Sequence, residues 1–230
     1  MTAASGIRTH SPRRRPLIVG AAAVLLAVLL GAGITLLNGG APLAIDAAWQ
    51  SLMVSMRSPF TAGLALFLNS FGGGIVAVLV VPLSIVALLL LLRRPWAALF
   101  SVAAALAGTL GVQLLKHLFA RPRPEDILVH SDFGSFPSGH TANAAVIAVT
   151  LSVLFPVVWV RIAGVAYVLL MAWSRTLLGA HWLSDTVGGA LIGAGVVLLL
   201  WAFSARWLEA ERLARAHSRA GSRATGHASP

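Results

Sequence analysis

Residues 17–37 read LIVGAAAVLLAVLLGAGITLL, an apolar run without a charge, preceded by Arg13-Arg14-Arg15 and closed by Asn38-Gly39-Gly40. A hydrocarbon core about 30 Å thick needs about 20 helical residues, so this stretch predicts a helix that crosses a membrane. It is long for the apolar part of a secretory signal, and no good small-x-small cleavage site comes before the turn, so it reads as a retained helix. Working outward, comparable stretches recur at Ile75–Leu92, Pro95–Leu115, Thr141–Val160, Ile162–Leu178 and Thr186–Ala205. Composition agrees. Of 230 residues 58% are hydrophobic and 10% charged, where a soluble domain has about 25% charged. Mean hydropathy is +0.86. These values exclude a soluble globular enzyme and a disordered binder. The expected fold is all-α, a bundle of six transmembrane helices spanning 17–206. Residues 1–16 and 207–230 form basic tails, the second of them expected to be disordered or surface-bound.

Residues Ala41–Gly74 mix apolar side chains with Asp46, Gln50, Arg57, Pro59 and Asn69, and end in Gly72-Gly73-Gly74. Their expected form is one or two amphipathic helices on the outer face, between the first and second spans. Basic residues set the orientation, because cytoplasmic loops collect Lys and Arg. With the N-terminus inside, the inner face holds Arg8, Arg13, Arg14, Arg15, Arg93, Arg94, Arg161, Arg206, Arg212, Arg215, Arg219 and Arg223. The outer face holds Arg57, Lys116, Arg121, Arg123 and Arg175, which completes the 17. Both termini are thus expected in the cytoplasm. Trp96, Trp159 and Trp201 lie near inner boundaries and Trp49 and Trp182 near outer ones, as an aromatic belt requires. The Arg and Ala bias suggests a GC-rich bacterial genome, and hence a bacterial plasma membrane. The net charge of +10 is accounted for by this asymmetry, so no nucleic-acid partner is expected. The absence of Cys excludes disulfides, Cys-ligated metals and Cys nucleophiles.

The remaining polar residues gather at two places on the expected outer face: the loop from Lys116 to His140, and the connection from Ser174 to Asp185. Arg121, Glu125, Asp126, His130 and Asp132 read as solvated loop charges, and His117 as a helix-end residue. Lys116, Arg175, His181 and Asp185 abut apolar spans, where an incidental charge is costly. Three patterns line up: Lys116, six residues, then Arg123-Pro124; Pro137-Ser138-Gly139-His140 ahead of a span; and Ser174-Arg175, five residues, His181, three residues, Asp185. Lys116, Arg123 and Arg175 are candidate anion-binding cations from three segments, Arg as a planar fork and Lys as a point charge. Ser138 and Gly139 stand at a helix N-terminus, a natural anion site, although an ordinary helix cap is the competing reading. His181 and Asp185, four apart, share one helical face. A carboxylate bonded to one ring nitrogen leaves the other lone pair available. A metal pair and a purely structural pair are the competing readings, and no further His or carboxylate completes a ligand set at recognisable spacing.

Together the three motifs resemble the type 2 phosphatidic acid phosphatase family, which shares a core with vanadium haloperoxidases and glucose-6-phosphatase. The resemblance covers roughly Gly72 to Ala205. It implies a metal- and cofactor-free membrane phosphatase acting on a lipid phosphate or isoprenoid diphosphate at the outer leaflet. The candidates are phosphatidic acid, phosphatidylglycerol phosphate and undecaprenyl diphosphate. It further implies phosphate as the ligand of Lys116, Arg123 and Arg175, His181 as nucleophile forming a phosphohistidine, Asp185 as its orienter and His140 as general acid. Two alternatives stand beside it: a vanadate-binding haloperoxidase-like enzyme, and a non-catalytic lipid-phosphate binder or transporter with a relict site.

Overall fold

The computed structural model describes residues 13–131 and 133–226, with side chains through residue 216. Arg8, Asp132 and the last four residues of the basic tail lie outside the described residues. The described residues are helical or irregular, with no strand among them. In order the helices are α1 (Arg14–Asn38), α2 (Ala44–Ser55), α3 (Pro59–Gly72), a π-helical stretch Val76–Val80 that runs into α4 (Val81–Leu91), α5 (Pro95–Phe119), α6 (Gly139–Leu154), α7 (Val158–Leu177) and α8 (Leu183–Gly226).

By length and composition α1, α5, α7 and α8 are long and apolar enough to cross a membrane. The pair α2–α3 passes the same test only when taken together, across a 117° bend. Val76–Leu91 and α6 are apolar but shorter. Outward-facing side chains are apolar: Leu37, Leu91 and Leu110 are 88%, 82% and 69% exposed. Such a surface is stable against lipid and not against water. The chain is a multi-pass membrane protein.

α8 is the axis of the bundle, packing on α1, α5 and α6, and α6 in turn packs on α7. Lipid tails are as apolar as Leu, so helix association in a membrane relies on close backbone approach by small residues. α8 supplies them. A Cβ on Gly189 would lie 2.5 Å from the Ser138 carbonyl oxygen, and one on Gly193 would lie 2.3 Å from that of Ala142. This contact seats the first turn of α6 against the second and third turns of α8, just beyond the first turn of α8 that carries Asp185.

Two expectations change. The fourth span was expected to continue to Val160, but α6 ends at Leu154 and α7 already begins at Val158. Pro156 lacks an N–H and bars the residue before it from helical geometry, so the break falls there and not at Arg161. The tail after Trp207, expected to be disordered or surface-bound, is helical through Gly226. Its Ala, Leu, Glu and Arg are strong helix formers. Glu211 also anchors it, with Oε1 accepting from the Trp96 N–H at 2.7 Å and Oε2 lying 3.6 Å from Arg94 Nε.

Candidate active site

The site lies where α5 and α7 end and α6 and α8 begin. Lys116 is in the last turn of α5 and Arg175 in the last turn of α7, and both are buried. Between α5 and α6 the loop folds back over these ends. The Ser135 N–H donates to the Arg121 carbonyl at 2.8 Å, and the Leu128 N–H to that of Leu178 at 2.9 Å. The Ser138 N–H donates to the Asp185 carbonyl, also at 2.9 Å. This layer presents backbone carbonyls to the cations. Lys116 Nζ donates to the carbonyls of Phe133 (3.2 Å) and Gly134 (2.9 Å). Arg123 donates through Nη2 to Gly134 (2.8 Å) and through Nη1 to Ala180 (2.5 Å).

His181 is buried in the connection between α7 and α8. Its Nδ1 is 2.8 Å from the Ser135 carbonyl. A carbonyl can only accept, so Nδ1 carries the proton and Nε2 the lone pair. Nε2 faces Arg123, 3.3 Å from Nη1. Burial pushes the imidazole well below its ordinary pKa of 6.5, and the charges of Arg123, Arg175 and Lys116 push it the same way. Three cations from three segments therefore bear on one neutral ring.

Asp185 is not the direct orienter expected of it. Its Oδ2 is 3.7 Å from His181 Nδ1, beyond hydrogen-bond reach. That oxygen instead accepts from the Ser135 hydroxyl and from the Trp182 N–H (2.8 Å). Asp185 thus holds the Ser135 segment, whose carbonyl holds the ring. Ser138 caps α6, its hydroxyl accepting from the Thr141 N–H at 3.5 Å. The cap reading applies to that hydroxyl, while Gly139 occupies the first helical position, where the N–H has no intrahelical acceptor.

His140 is half-buried against the end of α3. A Cβ on Gly73 would meet His140 Nε2 at 2.2 Å, so only glycine admits the ring there. A cavity of about 180 Å³ adjoins it, lined by Gly73, Ala77, Val112, Asn143 and Val146 among others. Among the described residues no three His, Asp or Glu side chains converge as a metal site.

Arg121 is a correction. It is 1% exposed, not solvated. Its guanidinium lies between Asp46 Oδ2 (2.8 Å, Nη2) and Asp185 Oδ1 (2.6 Å, Nη1), and donates to the Ser184 hydroxyl at 2.8 Å. Glu125, Asp126 and His130 are exposed, as expected of loop charges. His117, also exposed, stacks on Phe133.

Residues 94–209 match the PAP2 superfamily. The chain belongs to that superfamily. Among curated proteins, it is 26% identical to an undecaprenyl-diphosphatase of Sulfolobus acidocaldarius over 76% of this chain and 86% of that protein. It is 36% identical to phosphatidylglycerophosphatase B of Bacillus subtilis over 48% and 60%. With a lipid A 1-phosphatase of Rhizobium johnstonii the figure is 33% over 37% of this chain, and the match spans only 39% of that relative. A transmembrane PAP2 type phosphatidylglycerolphosphate phosphatase from Bacillus subtilis superposes with a TM-score of 0.68 at 26% identity. That superposition covers 81% of this chain and 96% of the other. For LpxE of Aquifex aeolicus the TM-score is 0.61 at 27% identity, over 69% and 95%.

The PAP2 match begins at Arg94 and so omits the hairpin α2–α3, which nonetheless reaches the site at three points. Asp46 on α2 holds Arg121. Arg57, at the bend, donates to the carbonyls of Leu177 (2.9 Å) and Asp126 (2.8 Å). Asn69 on α3 accepts from Arg175 Nη1. Sequence reasoning named all three without assigning them to the site. A carboxylate alone in the apolar helix AIDAAWQ was the available signal for Asp46.

Proposed function

We propose that this PAP2 protein hydrolyses a lipid phosphate or diphosphate through a phosphohistidine on His181. The observation that carries this reading is the ring of His181. It is proton-bearing at Nδ1 and so nucleophilic at Nε2, which faces Arg123 within the field of Lys116 and Arg175. A phosphate ester repels nucleophiles through its own charge, so catalysis consists largely of positioning and charge neutralisation. Nε2 attacks the terminal phosphorus, its bond to the leaving oxygen (of the lipid alcohol, or of the lipid monophosphate when the substrate is a diphosphate) breaks, and His140 gives that oxygen a proton. Water, deprotonated by His140, then attacks the phosphohistidine. The P–N bond breaks, inorganic phosphate leaves, and His181 regains its lone pair. Lys116, Arg123, Arg175 and the first-turn amide at Gly139 hold the phosphoryl oxygens. Ser138 caps the helix that aims them, and Asp185 positions the ring through Ser135.

The apolar cavity beside His140 supports a lipid leaving group, since an alkyl chain fits there and a water-soluble alcohol gains nothing from it. The names of three relatives fit the same substrate class, naming undecaprenyl diphosphate, phosphatidylglycerol phosphate and a lipid A 1-phosphate, and phosphatidic acid is the fourth candidate. In this reading α1, Val76–Leu91, α5, α6, α7 and α8 are six spans of a bacterial plasma membrane. Both termini are cytoplasmic, and α2–α3 and the site face outside. Cysteines introduced at Ser131 and Ser218 test this topology. Ser131 should label with an impermeant thiol reagent in whole cells and Ser218 only after lysis, and the reverse result would invert the protein. The activity is tested by phosphate release from these four lipids by the purified protein in detergent. Release from at least one is expected. Release from none, with retained binding, would make the site a relict.

A further inference from the structure

We propose that the end of the bundle opposite His181 holds a second anion site, built for the headgroup of an anionic phospholipid and separate from the substrate site. α5 carries Arg94 at its start and Lys116 near its end, so at 1.5 Å per residue the two lie about 33 Å apart. At the Arg94 end is a cavity of about 340 Å³, lined by Arg94, Arg161 and Arg212 from three elements, with Ser152, Glu209 and Trp201. Arg94 is the fixed member. It is buried, donates to the Leu154 carbonyl at 3.1 Å, and lies 3.6 Å from Glu211. The side chains of Arg161 and Arg212 are exposed and form no ion pair or hydrogen bond among the described residues. Glu211 is spent on Arg94 and the Trp96 N–H. That leaves Glu209 as the one other carboxylate facing two further guanidinium groups, an excess of positive charge. The ionisation of Arg94 reports the same excess. Burial lowers its pKa most, and against the pull of Glu211 the charges of Arg215 and Arg212 lower it further.

A free phosphate would need only the cations, and the surroundings offer more. An apolar groove of about 230 Å³ adjoins the cavity, sharing Val149, Ser152 and Arg161 with it. The groove continues along Gly164, Val168 and Ala194, between α6, α7 and α8. A charged head pocket that opens into an apolar groove on a lipid-facing surface matches a molecule with a phosphodiester head and acyl chains. The helical extension of α8 past Trp207 completes it, because Glu209, Glu211 and Arg212 all lie on that extension.

Native mass spectrometry of the full chain, released from nanodiscs of mixed phosphatidylglycerol and phosphatidylcholine, tests this. The wild type should retain phosphatidylglycerol about tenfold or more in preference to phosphatidylcholine. R161Q/R212Q, two exposed changes far from His181, should bring that preference close to parity with aryl phosphatase activity unchanged. R206Q removes one charge outside the cavity, where Arg206 stacks on Trp207, and should keep the preference. Equal retention of both lipids by the wild type would overturn the site. A loss in R206Q as large as in the double variant would reduce it to general surface charge. Displacement of the lipid by millimolar inorganic phosphate would show that the pocket takes a soluble anion, which contradicts the lipid assignment.

Discussion

Replacing Arg121 by Met should cost more stability than any other single change near the site. Asp46, Arg121 and Asp185 form a triad with two carboxylates and one guanidinium, and the Asp46 and Arg121 side chains are 0% exposed. Arg121→Met therefore leaves two carboxylates buried without a cation. Removing one partner of a buried pair costs about 3–5 kcal/mol, and this case stands at the upper end. Asp46→Asn is milder. It keeps the shape and leaves Arg121 paired with Asp185, losing charge assistance worth about 1–2 kcal/mol. The two changes should couple. Arg121→Met/Asp46→Asn should be less destabilised than Arg121→Met alone, since one of the stranded carboxylates is gone, with a coupling energy of about 1–3 kcal/mol. Thermal midpoints in one detergent provide the assay. At about 2–4 °C per kcal/mol for a chain of this size, Arg121→Met should fall by about 10 °C or more. A midpoint within 2 °C of wild type, or strict additivity of the two changes, would refute the idea that the triad is held by its charge balance.

Other consequences are as direct. Gly73→Ala places a methyl group 2.2 Å from His140 Nε2. The ring must move, so kcat on a lipid substrate should fall about 100-fold, while an aryl phosphate, whose leaving group needs little protonation, should lose far less. Equal losses on both would contradict the acid role of His140. The depressed pKa of His181 has a definite sign. Its neutral form should persist below pH 6.5, placing the acidic limb of the kcat/KM profile under that value. In stability, the unfolded chain binds the proton first as pH falls. The contribution of neutral His181 is complete above about 6.5 and is lost below it, toward the folded pKa. Activity should survive excess EDTA and yield to vanadate, because no ligand cluster appears among the described residues. Loss with EDTA and rescue by magnesium or zinc would contradict the histidine mechanism.

The three motifs were legible because each places a residue type whose chemistry is local: a cation at a helix end, a cap before a span, His and Asp one turn apart. What spacing could not supply was the company those residues keep. The i, i+4 spacing of His181 and Asp185 reads as direct contact, yet the loop inserts Ser135 and the pairing becomes indirect. Arg121 sits in a proline-rich loop, where a charge reads as solvated. Its burial depends on Asp46, 75 positions earlier, and no periodicity connects them. The hairpin α2–α3 read as a surface segment because its polar residues scatter, whereas Asp46, Arg57 and Asn69 all turn toward the site. The helical end of α8 was missed for a related reason. Its Arg-rich composition reads as a tail, and Glu211 becomes structural only once Arg94 is beside it.

The central claim is that His181 Nε2 carries the phosphoryl group. Rapid-quench trapping with a 32P-labelled lipid or aryl phosphate tests it most directly. The wild type should yield labelled protein that is stable to base and labile to acid, as a phosphoramidate is. His140→Ala should retain that label with the aryl substrate, and His181→Ala should give none. Label trapped on His181→Ala, or base-labile label on the wild type, would contradict the account.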